Sequence, residues 1–299
     1  MNNTIEKIHV IGMQMDLGAS KRGVNMGPLA IRYSGLMEKL EELSFSASDK
    51  GDILAGDPDP SNPKLKNFKP IFEANRSLFE KVTTSLKEGA FPVILGGDHS
   101  VAAGSISATN QFYKKVGIIW IDAHGDFNNE ESSPSGNMHG MPLSAVTGFG
   151  PASMVAFSGS DQYVDPQNVA VVGGRDIDPG ERKRMAESGI HVFSIHDVDR
   201  LGMAEVMKRA IEVAGNGTAG IHVSFDVDAI TPQEAPGVGT PVHSGLTVRE
   251  AFLAAELIAE SGKLIALDMV EINPILDEKN RTGILACELI LSLLGKSVY

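Results

Sequence analysis

Short apolar runs rich in Val and Ile recur along the chain, separated by longer segments whose apolar residues return every three to four positions. Unbroken β-branched runs suit strands covered on both faces, and the longer period is that of a helix with one apolar stripe. The runs predict strands over Ile8 to Met13, Phe91 to Leu95, Val116 to Ile121, Val169 to Val172, His191 to Ile195, Ile221 to Phe225 and Leu264 to Val270, with a weaker one near Phe45 to Asp49. The periodic segments predict helices over Leu29 to Leu43, Phe68 to Lys87, Glu181 to Ser188, Met203 to Ala214, Val248 to Ser261 and Thr282 to Leu294. Gly89 stands where a helix stop belongs, Pro179 where a helix starts, and Thr247 lies three residues ahead of Glu250 in capping-box spacing. Alternating strands and helices predict an α/β fold: one parallel sheet flanked by helices on both faces, with residues 1–299 forming a single domain. The Pro-rich stretch Gly56 to Pro63 reads as a loop, too short for a domain linker.

Charge narrows the function. The 299 residues carry 26 Lys and Arg against 38 Asp and Glu, a formal net charge of −12, which repels the phosphates a nucleic-acid binder must neutralise. Carboxylates that ligate cations, or a cationic substrate, would make use of that excess. Cys287 is the only cysteine, so neither an internal disulfide nor a thiolate metal cluster can form within one chain. Its apolar surroundings predict an inert, packed thiol. The start Met1-Asn2-Asn3-Thr4 lacks a basic, apolar leader, and no segment approaches the roughly 18 uninterrupted apolar residues of a membrane span. The expectation is a cytoplasmic protein with no membrane and no nucleic-acid partner.

Chemistry concentrates just after three of the predicted strands: Gly96-Gly97-Asp98-His99-Ser100, Asp122-Ala123-His124-Gly125-Asp126 and Asp226-Val227-Asp228. In open α/β sheets that carboxyl edge is where ligands bind. Side chains two apart in extended backbone point the same way, so Asp122, His124 and Asp126 converge, as do Asp226 and Asp228. With His99 they make a cage of four carboxylates and two imidazoles. This hard donor set favours manganese or magnesium over thiolate-seeking ions and leaves zinc and cobalt open. Four confined negative charges call for two divalent ions rather than one. A metal pair of this kind lowers the pKa of water toward neutrality, which is hydrolytic chemistry.

In these residues the chain resembles the arginase and agmatinase family of ureohydrolases, through GGDHS at Gly96 to Ser100, DAHGD at Asp122 to Asp126 and SFDVD at Ser224 to Asp228. The resemblance extends nearly end to end, through DLGASKRGVNMGP from Asp16, Gly237 to Pro241 and Val270-Glu271-Ile272-Asn273-Pro274. It implies a central sheet of about eight parallel strands and a homo-oligomer, commonly a trimer or hexamer. It also implies two Mn2+ per subunit, one held by His99, Asp122, Asp126 and Asp226, the other by Asp122, His124, Asp226 and Asp228. The implied reaction is hydrolysis of L-arginine to L-ornithine and urea by metal-bridging hydroxide, with Asp126 and His139 as proton carriers and Glu271 facing the guanidinium. Asn128, Ser135 and Asn137 match the loop that grips an α-carboxylate, and Asp178 and Glu181 match positions facing the α-ammonium. By itself, Glu181 also reads as a first-turn helix carboxylate facing water.

Thr231-Pro232 stands where many relatives have Asp-Pro, and His243-Ser244 where they have paired glycines. Neither departure replaces a proposed ligand. Because His and Ser enter positive-φ backbone less freely than Gly, the second bears on the loop near the metals. Agmatine, guanidinobutyrate and formiminoglutamate are the alternative substrates, and a noncatalytic metal-binding regulator is the alternative class. His9, His191, His196 and His222 have no acidic partner at ligand spacing and are expected to be structural.

Overall fold

In the computed structural model, which describes residues 5–158 and 162–297, every apolar run named above becomes a strand. The N-terminal tetrapeptide lies outside the described residues. The strands are β1 (Lys7–Gln14), β2 (Ser46–Leu54), β3 (Phe91–Leu95), β4 (Gly117–Ile121), β5 (Val169–Val172), β6 (His191–Phe193), β7 (Ile221–Asp226) and β8 (Leu264–Val270). They form one sheet, all parallel, in the order β2-β1-β3-β8-β7-β4-β5-β6. Strands β3, β4, β5, β7 and β8 are buried at every position, as apolar runs covered on both faces should be. Edge strand β2 is more polar, and Arg32 ties it down through Asp49 at 2.7 Å and Asp52 at 2.6 Å.

Helices cover both faces. On one side α1 (Gly27–Tyr33), α2 (Leu36–Glu42), α8 (Met203–Ala214), α9 (Val248–Glu260) and α10 (Arg281–Leu293) close one apolar core. On the other, α3 (Phe68–Lys87), α4 (Ala102–Tyr113), α5 (Pro142–Val146) and Met185 of α6 (Pro179–Ser188) close a second. No helix among the described residues is long and apolar enough to cross a membrane. Cys287 is fully buried in α10, where desolvation pushes its thiol up to about 11.

Several expectations change, and α5, like α4 below, is a helix absent from the expected set. The segment Leu29 to Leu43 is two helices, because Gly35 adopts φ +80° and turns the chain between them. Helix α4 is absent from the expected elements: its first nine residues are all buried, so it shows no amphipathic period. Its Gly104 passes so close to α3 that a Cβ would lie 2.6 Å from the Asn75 carbonyl oxygen. The run His191 to Ile195 ends as a strand at Phe193, since Ser194 and Asp197 form a capping box that starts α7 (Ile195–Leu201). The capping box at Thr247 and Glu250 forms as its spacing predicts.

The expected ligating motifs follow β3, β4 and β7, and Glu271 follows β8. These four are adjacent at the centre of the sheet, so their carboxyl ends bring the motifs together.

Candidate metal centre and substrate cavity

At the end of β3, Asp98 accepts Ser100 N–H at 3.1 Å and Gly18 N–H at 2.7 Å, fixing the turn that presents His99. Gly97 must be glycine here, because a Cβ would meet the Met15 carbonyl oxygen at 1.8 Å. The buried His99 ring stacks on Trp120 of β4, centroids 3.9 Å apart and planes 8° apart. Its Nε2 meets Ser224 Oγ at 2.9 Å, which turns Nδ1 toward three carboxylates: Asp122 Oδ2 and Asp126 Oδ2 at 3.1 Å, and Asp226 Oδ2 at 3.3 Å.

A second group adjoins the first. His124 Nδ1 lies 3.1 Å from Asp228 Oδ2 and 3.3 Å from Asp122 Oδ1. Asp122 therefore offers one oxygen to each imidazole, and Trp120 Nε1 donates to its Oδ2 at 2.9 Å. Asp226 accepts Asp228 N–H at 2.8 Å, while Asp228 accepts Thr240 Oγ–H at 3.0 Å. Asp126 is held at φ +48°, a conformation uncommon for an aspartate and located where strained backbone tends to gather.

The donor set fits cations. His99 Nδ1 is buried with no hydrogen-bond partner, although three carboxylate oxygens face it. Burial, then the charges of Asp228 and Asp122, hold the Asp226 carboxyl well above its usual range. Burial and the Asp122 charge push Asp126 up to about 6. Desolvation alone would lower His99 and His124, but their carboxylate neighbours raise both well above an ordinary histidine. The cage thus stabilises positive charge where the Nδ1 atoms point. The atoms able to hold a metal fall into two clusters, His99 with Asp122 and Asp126, and Asp122 with His124 and Asp228.

The cage opens on a cavity of about 160 Å³ whose wall includes His124, Asp126, Asp226, Asn128, Ser135, Asn137, His139, Asp178 and Glu181. Asp126, Asp226, Asn128 and Glu181 are buried, Asn137 is half-buried and Ser135 is exposed, so the wall runs from the cage to solvent. Asn128 is partly engaged: its amide donates to Asp178 at 3.2 Å and accepts from Ser132 at 2.8 Å. Asn137 donates from Nδ2 to Ser20 Oγ at 2.8 Å and accepts from Lys66 Nζ at 3.4 Å. Glu181 is in the first turn of α6 but does not face water. Its oxygens accept Phe127 N–H at 2.7 Å and Asp178 N–H at 3.3 Å, and burial pushes its carboxyl up to about 8.

Glu271 is set back from the cavity wall, behind His139. At φ +64°, it accepts His99 N–H at 2.9 Å and meets His139 Nδ1 at 3.0 Å through Oε1, leaving Oε2 buried without a partner. Burial would lower His139, but the Glu271 contact and the charges of Glu271, Asp126 and Asp98 raise it to about 9.

Several residues at the site escaped the sequence reading. Trp120 lies two positions before Asp122 on the same strand face, a period-2 signal that was available. Asp268 interrupts the apolar run of β8, and that buried charge was legible too. It accepts from Ser105 at 2.8 Å and Ser224 at 3.2 Å and pairs with His222 at 3.0 Å, so His222 does have an acidic partner, supplied by a neighbouring strand.

Fold and cage together define an α/β protein with His/Asp groups able to hold metal. The profile of the arginase family matches residues 6–295. The arginase of Bacillus subtilis (strain 168) is 45% identical over 292 residues, covering 97% of this chain and 98% of its own. The native structure of the Bacillus caldovelox arginase superposes with a TM-score of 0.96 at 44% identity, over 98% of this chain and 100% of that one. The Entamoeba histolytica arginase, solved in complex with L-ornithine, superposes with a TM-score of 0.90 at 32% identity, over 98% and 100%. The chain belongs to the arginase family.

Proposed function

We propose that this enzyme hydrolyses L-arginine to L-ornithine and urea with two manganese ions. The observation that carries the reading is a buried double cage sharing Asp122, at one end of a cavity whose outer wall bears neutral hydrogen-bonding groups. His99, Asp122, Asp126 and Asp226 would hold one ion and Asp122, His124, Asp226 and Asp228 the other, with Asp122 and Asp226 common to both. Divalent ions bound here would lower the pKa of water toward neutrality, the chemistry that supplies a nucleophile for the guanidinium carbon.

The chain's own groups do the rest. Glu271 is the group assigned to the guanidinium, whose planar N–H fork suits a carboxylate; its buried, unpartnered Oε2 lies behind His139 and would meet the substrate once the His139 ring turns aside. Asp126 lines both cage and cavity and passes a proton to the amine that leaves as the carbon–nitrogen bond breaks. His139 then exchanges protons with solvent. Cations in the cage would offset the Asp126 charge, one of the groups that raise its pKa, and so lower it. Ser135 and Asn137, with the uncommitted N–H of Asn128, meet the α-carboxylate, and Asp178 and Glu181 lie on the α-ammonium side. The ornithine bound by the Entamoeba histolytica relative supports an amino-acid product.

Urea release from L-arginine, agmatine and guanidinobutyrate, and formamide release from formiminoglutamate, measured in parallel on the manganese-loaded protein, test the reading. Arginine should be strongly preferred. Preference for a substrate lacking the α-carboxylate would reassign the cavity's outer wall, and no turnover of any of them would make the chain a noncatalytic metal binder.

A further inference from the structure

Arg175, just beyond β5, places its half-buried guanidinium against backbone rather than against a carboxylate. Nη2 donates to the carbonyls of Asp228 at 2.7 Å and Val242 at 2.8 Å, Nη1 to those of Ala229 at 3.0 Å and Gly173 at 3.4 Å, and Nε to that of His243 at 3.2 Å. An arginine side chain has five N–H groups, so one rigid fork is fully committed to joining three loops at the carboxyl edge of the sheet. One loop carries Asp228 of the cage. Another carries Thr240, which lines the cavity and donates to Asp228 Oδ2 at 3.0 Å.

The loop from 240 to 245 is shaped around this fork. A Cβ on Gly245 would lie 2.5 Å from Arg175 Nη2 and 2.6 Å from the Ala229 carbonyl oxygen, so only glycine leaves room for the guanidinium. Ser244, where many relatives have glycine, takes φ +59°. A side chain is strained in that conformation, so the loop keeps this shape because other contacts impose it. The Arg175 bonds to residues 242 and 243 are such contacts, together with Leu246 N–H to the Ala229 carbonyl at 2.9 Å.

We propose that Arg175 is the positioning residue of the Asp228 side of the cage, clamping the 228–229 turn to the 240–245 loop so that Asp228 Oδ2 stays opposed to His124 Nδ1. The assignment rests on the two-metal reading above. The clamp does not reach His99, Asp122 or Asp126 by any of its hydrogen bonds. Its removal should therefore act on one metal position and not on the other.

Equilibrium dialysis and Mn2+ electron paramagnetic resonance on the wild type, Arg175→Ala and Arg175→Lys test this. The wild type should bind two ions. Arg175→Ala should keep one at wild-type affinity and bind the other ~10- to 100-fold more weakly, the range found when groups supporting metal ligands are lost. Arg175→Lys, with a charge but no planar fork, should fall between them. Wild-type affinity for both ions in Arg175→Ala, or equal weakening of both ions as a general loss of structure would give, overturns the assignment. If Arg175→Ala fails to fold, Arg175→Lys decides, and binding like the wild type overturns it. A wild type that binds fewer than two ions overturns the two-metal reading itself, and the assignment with it.

Discussion

Replacing Asn137 with alanine separates recognition of the α-carboxylate from the metal chemistry. One Nδ2 hydrogen is committed to Ser20 and the carbonyl oxygen accepts from Lys66, so a single N–H remains for a substrate carboxylate. A hydrogen bond to a charged group contributes about 1.5 to 3 kcal/mol. Because Asn137 is only half-buried, solvent competes for the bond and the lower end applies, giving roughly a tenfold fall in kcat/KM for arginine. Agmatine has no carboxylate. It feels only the lost Ser20 and Lys66 contacts, and should change by less than about threefold. The assay measures both specificity constants together with bound manganese, which should not change. An equal fall for both substrates, or loss of metal, would refute the assignment of Asn137 to the carboxylate.

Three further outcomes follow from the same geometry. Asp122→Ala should remove both metal positions because its two oxygens face different imidazoles, whereas His99→Ala should weaken mainly one; equal metal content in the two variants would count against Asp122 as the shared ligand. Glu181 is raised to about 8 in the folded chain from an ordinary 4.5, so between those values the unfolded chain binds fewer protons than the folded one, and the group's contribution to stability falls as pH rises. In metal-stripped protein, Glu181→Gln should flatten this part of the stability–pH curve, and identical curves would contradict a buried, protonated carboxyl. Cys287 should resist alkylation at pH 8 in the native protein and react once per chain after unfolding; rapid native labelling would show that α10 is not packed as described.

The clustering of the His and Asp side chains was legible in the sequence because most of them lie two apart on segments that continue apolar strands, where period and position agree. The sheet was legible for a related reason: β3, β4 and β8 are apolar at nearly every position, as burial on both faces requires. Helix α4 was not, because full burial removes the polar face on which helical periodicity depends. Long-range pairings were also hidden. Asp268 and His222 meet across adjacent strands, Trp120 meets His99 from a different strand, and Arg175 reaches carbonyls more than fifty residues away, with no local spacing to announce them. Ser244, which stands where many relatives have glycine, takes the positive φ that glycine adopts more freely.

The central claim is that activity needs both halves of the cage filled. Titrating manganese into metal-stripped protein while recording bound metal and urea release from L-arginine tests it most directly. Activity should be negligible in the stripped protein, rise with the second equivalent and plateau at two ions per chain. Full turnover in thoroughly stripped protein, or a plateau at one ion, would contradict the account.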